Sequence, residues 1–247
     1  MQTVTEADQQ AVSELPQSDR ELLAKPFFAS LFPEYVEAPN GKAKGVSLSD
    51  YLVDSYVLRE SEKIVDRDSQ PLLDADGHRQ IFELTAEFMW SGEKREFSAD
   101  DLRTVAELVA DHVGLAGDSA TQLVMKITSY AGFRTSRQGR EQRFQFEHEV
   151  YFDHFLSEAL RRRITNASDL GMFLDGGLLP EEVISAVVDE QNATRWLDLL
   201  SGYRRDTVLH ENRRRNSGTL VAACFCAAKN VANRIIPHCS FVNTSFG

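Results

Sequence analysis

Three cysteines, Cys224, Cys226 and Cys239, are all the chain has. An odd, late cluster excludes a disulfide-stapled scaffold and suits reduced thiols. Basic charge is in deficit: 27 Lys and Arg stand against 38 Asp and Glu, a formal net charge of −11. That disfavours a general nucleic-acid binder, which needs a basic footprint. No apolar run reaches membrane-spanning length, and no signal peptide is read in the polar opening MQTVTEADQQ, so a cytoplasmic location is expected, with no membrane partner. A Walker A sequence is lacking too. The nearest stretch, Gly41-Lys42-Ala43-Lys44-Gly45, has neither the glycine spacing nor the Lys-Ser/Thr pair that cradles phosphates and magnesium. There is no Gly-x-Ser-x-Gly elbow. His148 and His154 lie six apart rather than four, so His148-Glu149 is no zincin motif. Cys224, Cys226, His238 and Cys239 lack the paired spacing of structural zinc sites, so no metal is expected.

What remains is ordinary globular composition, 42% hydrophobic and 26% charged over 247 residues, enough for one long domain or two small ones. In the first 45 residues Pro26 stands before Phe27-Phe28, where a proline opens or kinks a helix. Ser47 is a candidate N-cap for a helix reaching about Ile64, with Leu48, Tyr51, Leu52, Tyr56 and Leu58 apolar. Residues 66–77 read as loop. A helix is predicted over 80–91, with Ile81, Leu84, Phe88 and Met89 inward and Gly92 at its end.

Ser98 and Asp101 form a capping box with Asp in place of Glu. The helix it opens is closed by Gly114, and Asp118 is a candidate cap for the next, which Gly132 ends. Residues 133–135, a turn over 136–142 containing Gly139, and 143–150 predict a hairpin. In Arg143–Val150, Phe144, Phe146, His148 and Val150 alternate with polar residues. From Phe152 the period changes: Phe155, Leu156, Ala159, Leu160 and Ile164 recur at helical spacing, and Arg161, Arg162 and Arg163 suit the negative end of the helix dipole. His148 sits at the switch. Unpaired N–H groups at a helix start attract anions, and a histidine there adds a donor, although a histidine on an apolar face is more often a satisfied core residue.

The stretch Phe144-Gln-Phe-Glu-His148-Glu-Val-Tyr-Phe152-Asp-His-Phe155-Leu156 resembles the winged-helix signature of NACHT-type STAND NTPases, nucleotide-switched signalling ATPases that include NOD-like receptors and bacterial antiviral sensors. By resemblance, His148 touches the β-phosphate of bound ADP and helps hold the inactive state. Pro26 is the counterpart of a proline close to the adenine, with Ala24 where the fuller family motif has glycine. Helix, helix, helix, hairpin, helix is also a winged-helix order, and many such domains bind DNA. Here the helix before the hairpin offers only Lys126, although the hairpin carries Arg134, Arg137, Arg140 and Arg143.

After Ile164, Asn166 or Ser168 can cap a segment with Leu170, Phe173 and Leu174. Gly176-Gly177 reads as a turn, Pro180 with Glu181 and Glu182 as a helix start, and Trp196 marks a further helix. Arg213-Arg214-Arg215 reads as a solvated basic surface. Val231, Ile236, Phe241 and Phe246 are spaced five apart and resemble the start of a pentapeptide repeat.

The expected fold is therefore mainly α: a helical subdomain over 1–77, a winged helix over 78–165, a helical array over 166–228 and the start of a pentapeptide-repeat β-helix over 229–247. By resemblance the chain is a relay fragment of a signalling ATPase, possessing no catalysis or cofactor of its own and working with a nucleotide-binding domain that holds ADP or ATP with Mg. The parent is expected to oligomerise, and antiviral defence is the family's suggestion. The alternatives are a stand-alone interaction module and, less favoured, a winged-helix DNA-binding regulator.

Overall fold

The computed structural model describes residues 12–13, 15, 17–24, 26–38, 48–129, 133–138, 141–163, 165, 167–202 and 210–227. It is mainly helical with one small antiparallel sheet. The chain divides into two compact units, Met1–Pro71 and Leu72–Gly247. The first boundary expected from sequence, at 77/78, thus falls at 71/72. Residues on either side of 165/166 lie within one unit, because the helices of the expected array pack on the hairpin module's last helix. The segment read as a pentapeptide repeat lies outside the described residues, as do Ser47, Gly132, Gly139, Arg140, Ile164 and Asn166.

In the first unit, helices α1 (Gln17–Leu23), α2 (Pro26–Glu37) and α3 (Leu48–Lys63) pack together. Pro26 opens α2, where its missing N–H costs nothing because first-turn donors have no intrahelical partner. Pro33, unremarked in the sequence reading, lies inside the same helix. Phe28, Phe32 and Tyr35 are buried on α2, as are Leu48, Tyr51 and Leu52 on α3, and the Tyr35 and Tyr51 rings lie 5.4 Å apart. The N-terminus of α3 is closed from a distance, since the buried Asp19 carboxylate on α1 accepts the Leu48 N–H at 3.0 Å. Burial pushes the Asp19 carboxyl up, against the pull of that hydrogen bond.

In the second unit, α4 spans Ala75–Ser91. It begins five residues before the sequence reading placed it. Asp74 caps it, accepting the Gly77 N–H at 2.8 Å, so Gly77 belongs to the first turn rather than to a loop. Its buried face is also turned from the expected one. Ile81 and Met89 are inward, but Phe82 and Trp90 replace Leu84 and Phe88, and Phe88 is 42% exposed. A run apolar on several faces leaves the rotation to tertiary packing.

Strand β1 (Phe97–Ser98) was not anticipated. It pairs with β3 (Glu141–Phe146), which also pairs with β2 (Phe133–Gln138), giving the order β1-β3-β2. Between β1 and β2 lie α5 (Ala99–His112), α6 (Gly117–Lys126) and a short 3-10 turn, Ile127–Ser129. The capping box forms: Asp101 N–H donates to Ser98 Oγ at 3.0 Å, and Ser98 N–H to Asp101 Oδ2 at 2.9 Å. Gly114 closes α5 with φ +71°, a conformation that favours glycine. Asp118 is not a cap; its carboxylate accepts from Gln122 within α6.

The hairpin register Phe133↔Phe146 puts two phenylalanines on one face. Phe82 of α4 and Phe155 of α7 (Glu149–Arg163) complete an aromatic core, with Phe82–Phe155 centroids 5.0 Å apart and Phe133–Phe146 centroids 5.2 Å apart. Then follow α8 (Ala167–Leu174), α9 (Glu181–Val187), α10 (Ala193–Ser201) and α11 (Glu211–Ala227). Ser168 lies inside α8 and is not its cap. Pro180 is the N-cap of α9, with Glu181 and Glu182 in the first turn.

Candidate functional site

His148 stands in a bend between the end of β3 at Phe146 and the start of α7 at Glu149. The strand therefore ends four residues before the expected Val150, and the alternation through His148 and Val150 is a helix start rather than a strand. The place expected for His148, at the switch from strand to helix, is the place observed. Its side chain is half-buried, its ring lies 5.7 Å from that of Tyr151, and its carbonyl accepts the Tyr151 N–H at 3.1 Å. Glu147 and Glu149 flank it, both exposed. One imidazole donor beside two carboxylates can touch a phosphate edge but cannot neutralise one. Pro26, the other residue singled out, belongs to the first unit and opens α2.

The strand-to-helix switch borders a cleft of about 540 Å³. Its walls come from four places: Met89 and Trp90 at the end of α4 with Glu93, Lys94 and Arg95 beyond; Gln145, Phe146, Glu149 and Phe152 of β3 and α7; Gly177, Leu178 and Pro180 before α9; and Asn212 of α11. Phe146 and Glu149 reach the cleft, whereas Glu147 and His148 are not among its lining.

Local structure fixes those walls. Glu93 adopts φ +50°, in the left-handed region that ends helices and that non-glycine residues rarely take. Its N–H returns to the Trp90 carbonyl at 3.1 Å, and that of Lys94 to Met89 at 2.9 Å. Its carboxylate accepts from Asn212 Nδ2 at 2.8 Å. The Trp90 ring stacks on Phe173 with centroids 4.3 Å apart. Gly176 and Gly177 lie against it so closely that a Cβ would come within 2.7 Å of the ring at the first position and 2.9 Å of the Trp90 carbonyl at the second.

The turn is held from behind by α11. Asn216, buried, accepts the Leu179 N–H at 2.9 Å and donates to Leu174 and Gly177 carbonyls at 3.0 and 2.9 Å. Asn212 donates to the Gly176 carbonyl at 2.6 Å. Arg213 grips Asp175 through two nitrogens, Nε at 2.7 Å, and is only 18% exposed. Arg213 is therefore not part of a solvated basic surface, while Arg214 is exposed. The spacing of Asn212 and Asn216, one helical turn apart, was the available signal; a polar stripe in a helix reads as a surface until its partner is known.

Among the other residues considered, Arg134 and Arg137 are exposed on β2, and Arg143 pairs with Glu141 at 2.5 Å. Cys224 is buried and its thiol pushed up to about 12 by that burial; Cys226 is exposed. His238 and Cys239 lie outside the described residues. Among the described residues no His, Cys, Asp and Glu group is placed to hold a metal ion, and no helix is long and apolar enough to cross a membrane. Comparison with known proteins found no matching family, no matching curated protein and no matching solved structure.

Proposed function

We propose that this chain is the regulatory relay of a nucleotide-switched signalling ATPase of the NACHT-type STAND kind, with no catalysis of its own. The observation that carries the reading is the position of His148 at the junction of β3 and α7, at the end of an element order helix, strand, helix, helix, hairpin, helix with the sheet order β1-β3-β2. We read that order as a winged helix. In this role His148 gives one hydrogen bond to the terminal phosphate of ADP. A separate nucleotide-binding domain, as partner, supplies the phosphate cradle, the magnesium and the hydrolytic machinery. Pro26 belongs near the adenine side of that partner. The helices after α7 carry the change to sensor repeats, and release of the His148 contact opens the assembly to oligomerisation. A part in defence follows from the same resemblance, and a cytoplasmic place is proposed with it.

The test is isolation of the native product from its source cells under non-denaturing conditions. The reading expects a P-loop nucleotide-binding domain in the same polypeptide or in a stable complex with it. A product of 27.8 kDa that associates with no such domain contradicts it.

A further inference from the structure

Strand β2 (Phe133–Gln138) is an edge of the three-stranded sheet. It is paired with β3 on one side, and no described strand lies on the other. In an antiparallel pair every second residue turns its N–H and C=O away from the neighbour. Residues 134–137 make no backbone hydrogen bond outside that pairing among the described residues. Arg134, Thr135 and Arg137 are exposed, so the strand stands open to solvent. An open edge of this kind is a template for one more strand. The opposite edge, β1, has only two residues and offers no comparable length.

Charge selects which strand fits. β2 reads Phe-Arg-Thr-Ser-Arg-Gln and has no carboxylate, in a chain whose formal net charge is −11. Neither Arg134 nor Arg137 forms an ion pair with a described residue. Of the carboxylates near the sheet, Glu141 pairs with Arg143, and Glu96, just before β1, accepts from Ser136 Oγ at 3.5 Å. A second copy of this chain is the wrong partner. Two β2 strands paired antiparallel over their full length put Arg134 of each opposite Arg137 of the other, and like charges directly opposite destabilise a sheet. A nucleic acid is disfavoured too. Its binding is mainly electrostatic and the acidic chain repels it, whereas an added strand draws its affinity from main-chain bonds.

We propose that the free edge of β2 binds an extended acidic segment of a partner protein as a fourth, antiparallel strand. Arg134 and Arg137 are three positions apart, so they fall on opposite faces of the sheet. An antiparallel strand meets them with carboxylates also three positions apart, one on each face. The segment therefore reads Asp/Glu-x-x-Asp/Glu, with β-branched residues between them opposite Thr135 and Ser136. None of this uses His148, so the proposal stands apart from the nucleotide reading.

The test titrates the full chain, isotope-labelled, with the end-capped peptide Thr-Glu-Val-Thr-Glu-Val and follows the backbone amide resonances. The amides of β2 shift to saturation. The same peptide with Lys for both Glu binds roughly tenfold or more weakly. Arg134→Glu with Arg137→Glu, both at exposed positions, reverses that order and makes the Lys peptide the better ligand. Of two versions of the peptide N-methylated at alternate residues, one loses binding and the other keeps it, because only one set of N–H groups faces β2. The proposal is overturned if the β2 amides do not move, if both methylated versions bind like the parent peptide, or if the double charge reversal leaves the preference for Glu intact. A short DNA duplex that shifts the same amides at lower concentration than the peptide overturns it as well. So does a dimer of the parent chain that the peptide dissociates, since the occupant is then a second copy.

Discussion

Gly177 donates its backbone N–H to the Trp90 carbonyl at 3.0 Å, so a loop residue completes the end of a helix 87 positions earlier in the chain. The contact is backbone to backbone, and it fixes where the Trp90 ring stands. Gly177→Ala places a methyl group 2.9 Å from that carbonyl oxygen, where neither partner can rotate away. The expected loss is about 1–3 kcal/mol of unfolding free energy, read by urea denaturation, with the tryptophan emission changed in the folded state. Retention of full stability would mean that the turn is free to lift from Trp90.

Asn216 is the point from which α11 holds the same turn. It is 2% exposed and makes three hydrogen bonds to backbone groups of residues 174–179. Asn216→Leu fills the space but strands one N–H and leaves two carbonyls short of a partner. A cost of about 2–4 kcal/mol follows from those unsatisfied buried groups. Asn216→Asp keeps the acceptor for Leu179 N–H, loses both donors and buries a charge, so it is expected to be at least as harmful at neutral pH. Urea midpoints of the two variants check the order.

Glu83 makes stability depend on pH. Burial pushes its carboxyl up to about 7; the Arg162 charge opposes this, Glu158 adds to it, and Arg79 opposes it again. Arg162 is also its ion-pair partner. The folded value lies above the ordinary 4.5, so the folded state binds the proton more tightly than the unfolded chain. Its contribution is complete below pH about 4.5 and is lost as pH rises through about 7. Within that window the slope for one proton is at most about 1.4 kcal/mol per pH unit. Glu83→Gln removes it. The stability of the variant relative to the parent should therefore climb between pH 5.5 and 7.5, measured by urea midpoints at several pH values. A constant difference across that range would show that Glu83 does not carry the linkage.

Local chemistry was legible in the sequence; rotation and long-range partners were not. The Ser98–Asp101 box announces itself because both partners lie within one turn, and Gly114 marks a helix end through the backbone it alone tolerates readily. The hairpin was foreseen, with β2 running three residues further than expected. By contrast, a two-residue strand such as Phe97–Ser98 has no periodicity to detect, and exists because Phe97 faces Phe144. The Asp19 cap on α3 joins residues 29 apart, and no local pattern predicts it. The inward turn of Phe82 and Trp90 is decided by Phe155 and Phe173 on other helices. At the candidate site, the place of His148 was legible in the change of period. The cleft was not, because its walls come from residues 89 to 212 and meet only in the fold.

The most direct test of the nucleotide-relay account is the nucleotide content of the native product isolated from its source cells, parent and His148→Ala compared. The protein is captured under non-denaturing conditions, acid-extracted and its nucleotides quantified by chromatography. Circular dichroism of the purified chain carrying His148→Ala confirms that the substitution preserves the fold. The account predicts ADP near one per chain in the parent and a several-fold loss in the variant, since one phosphate hydrogen bond is removed. Equal ADP in both, or no nucleotide in either, would contradict the role given to His148.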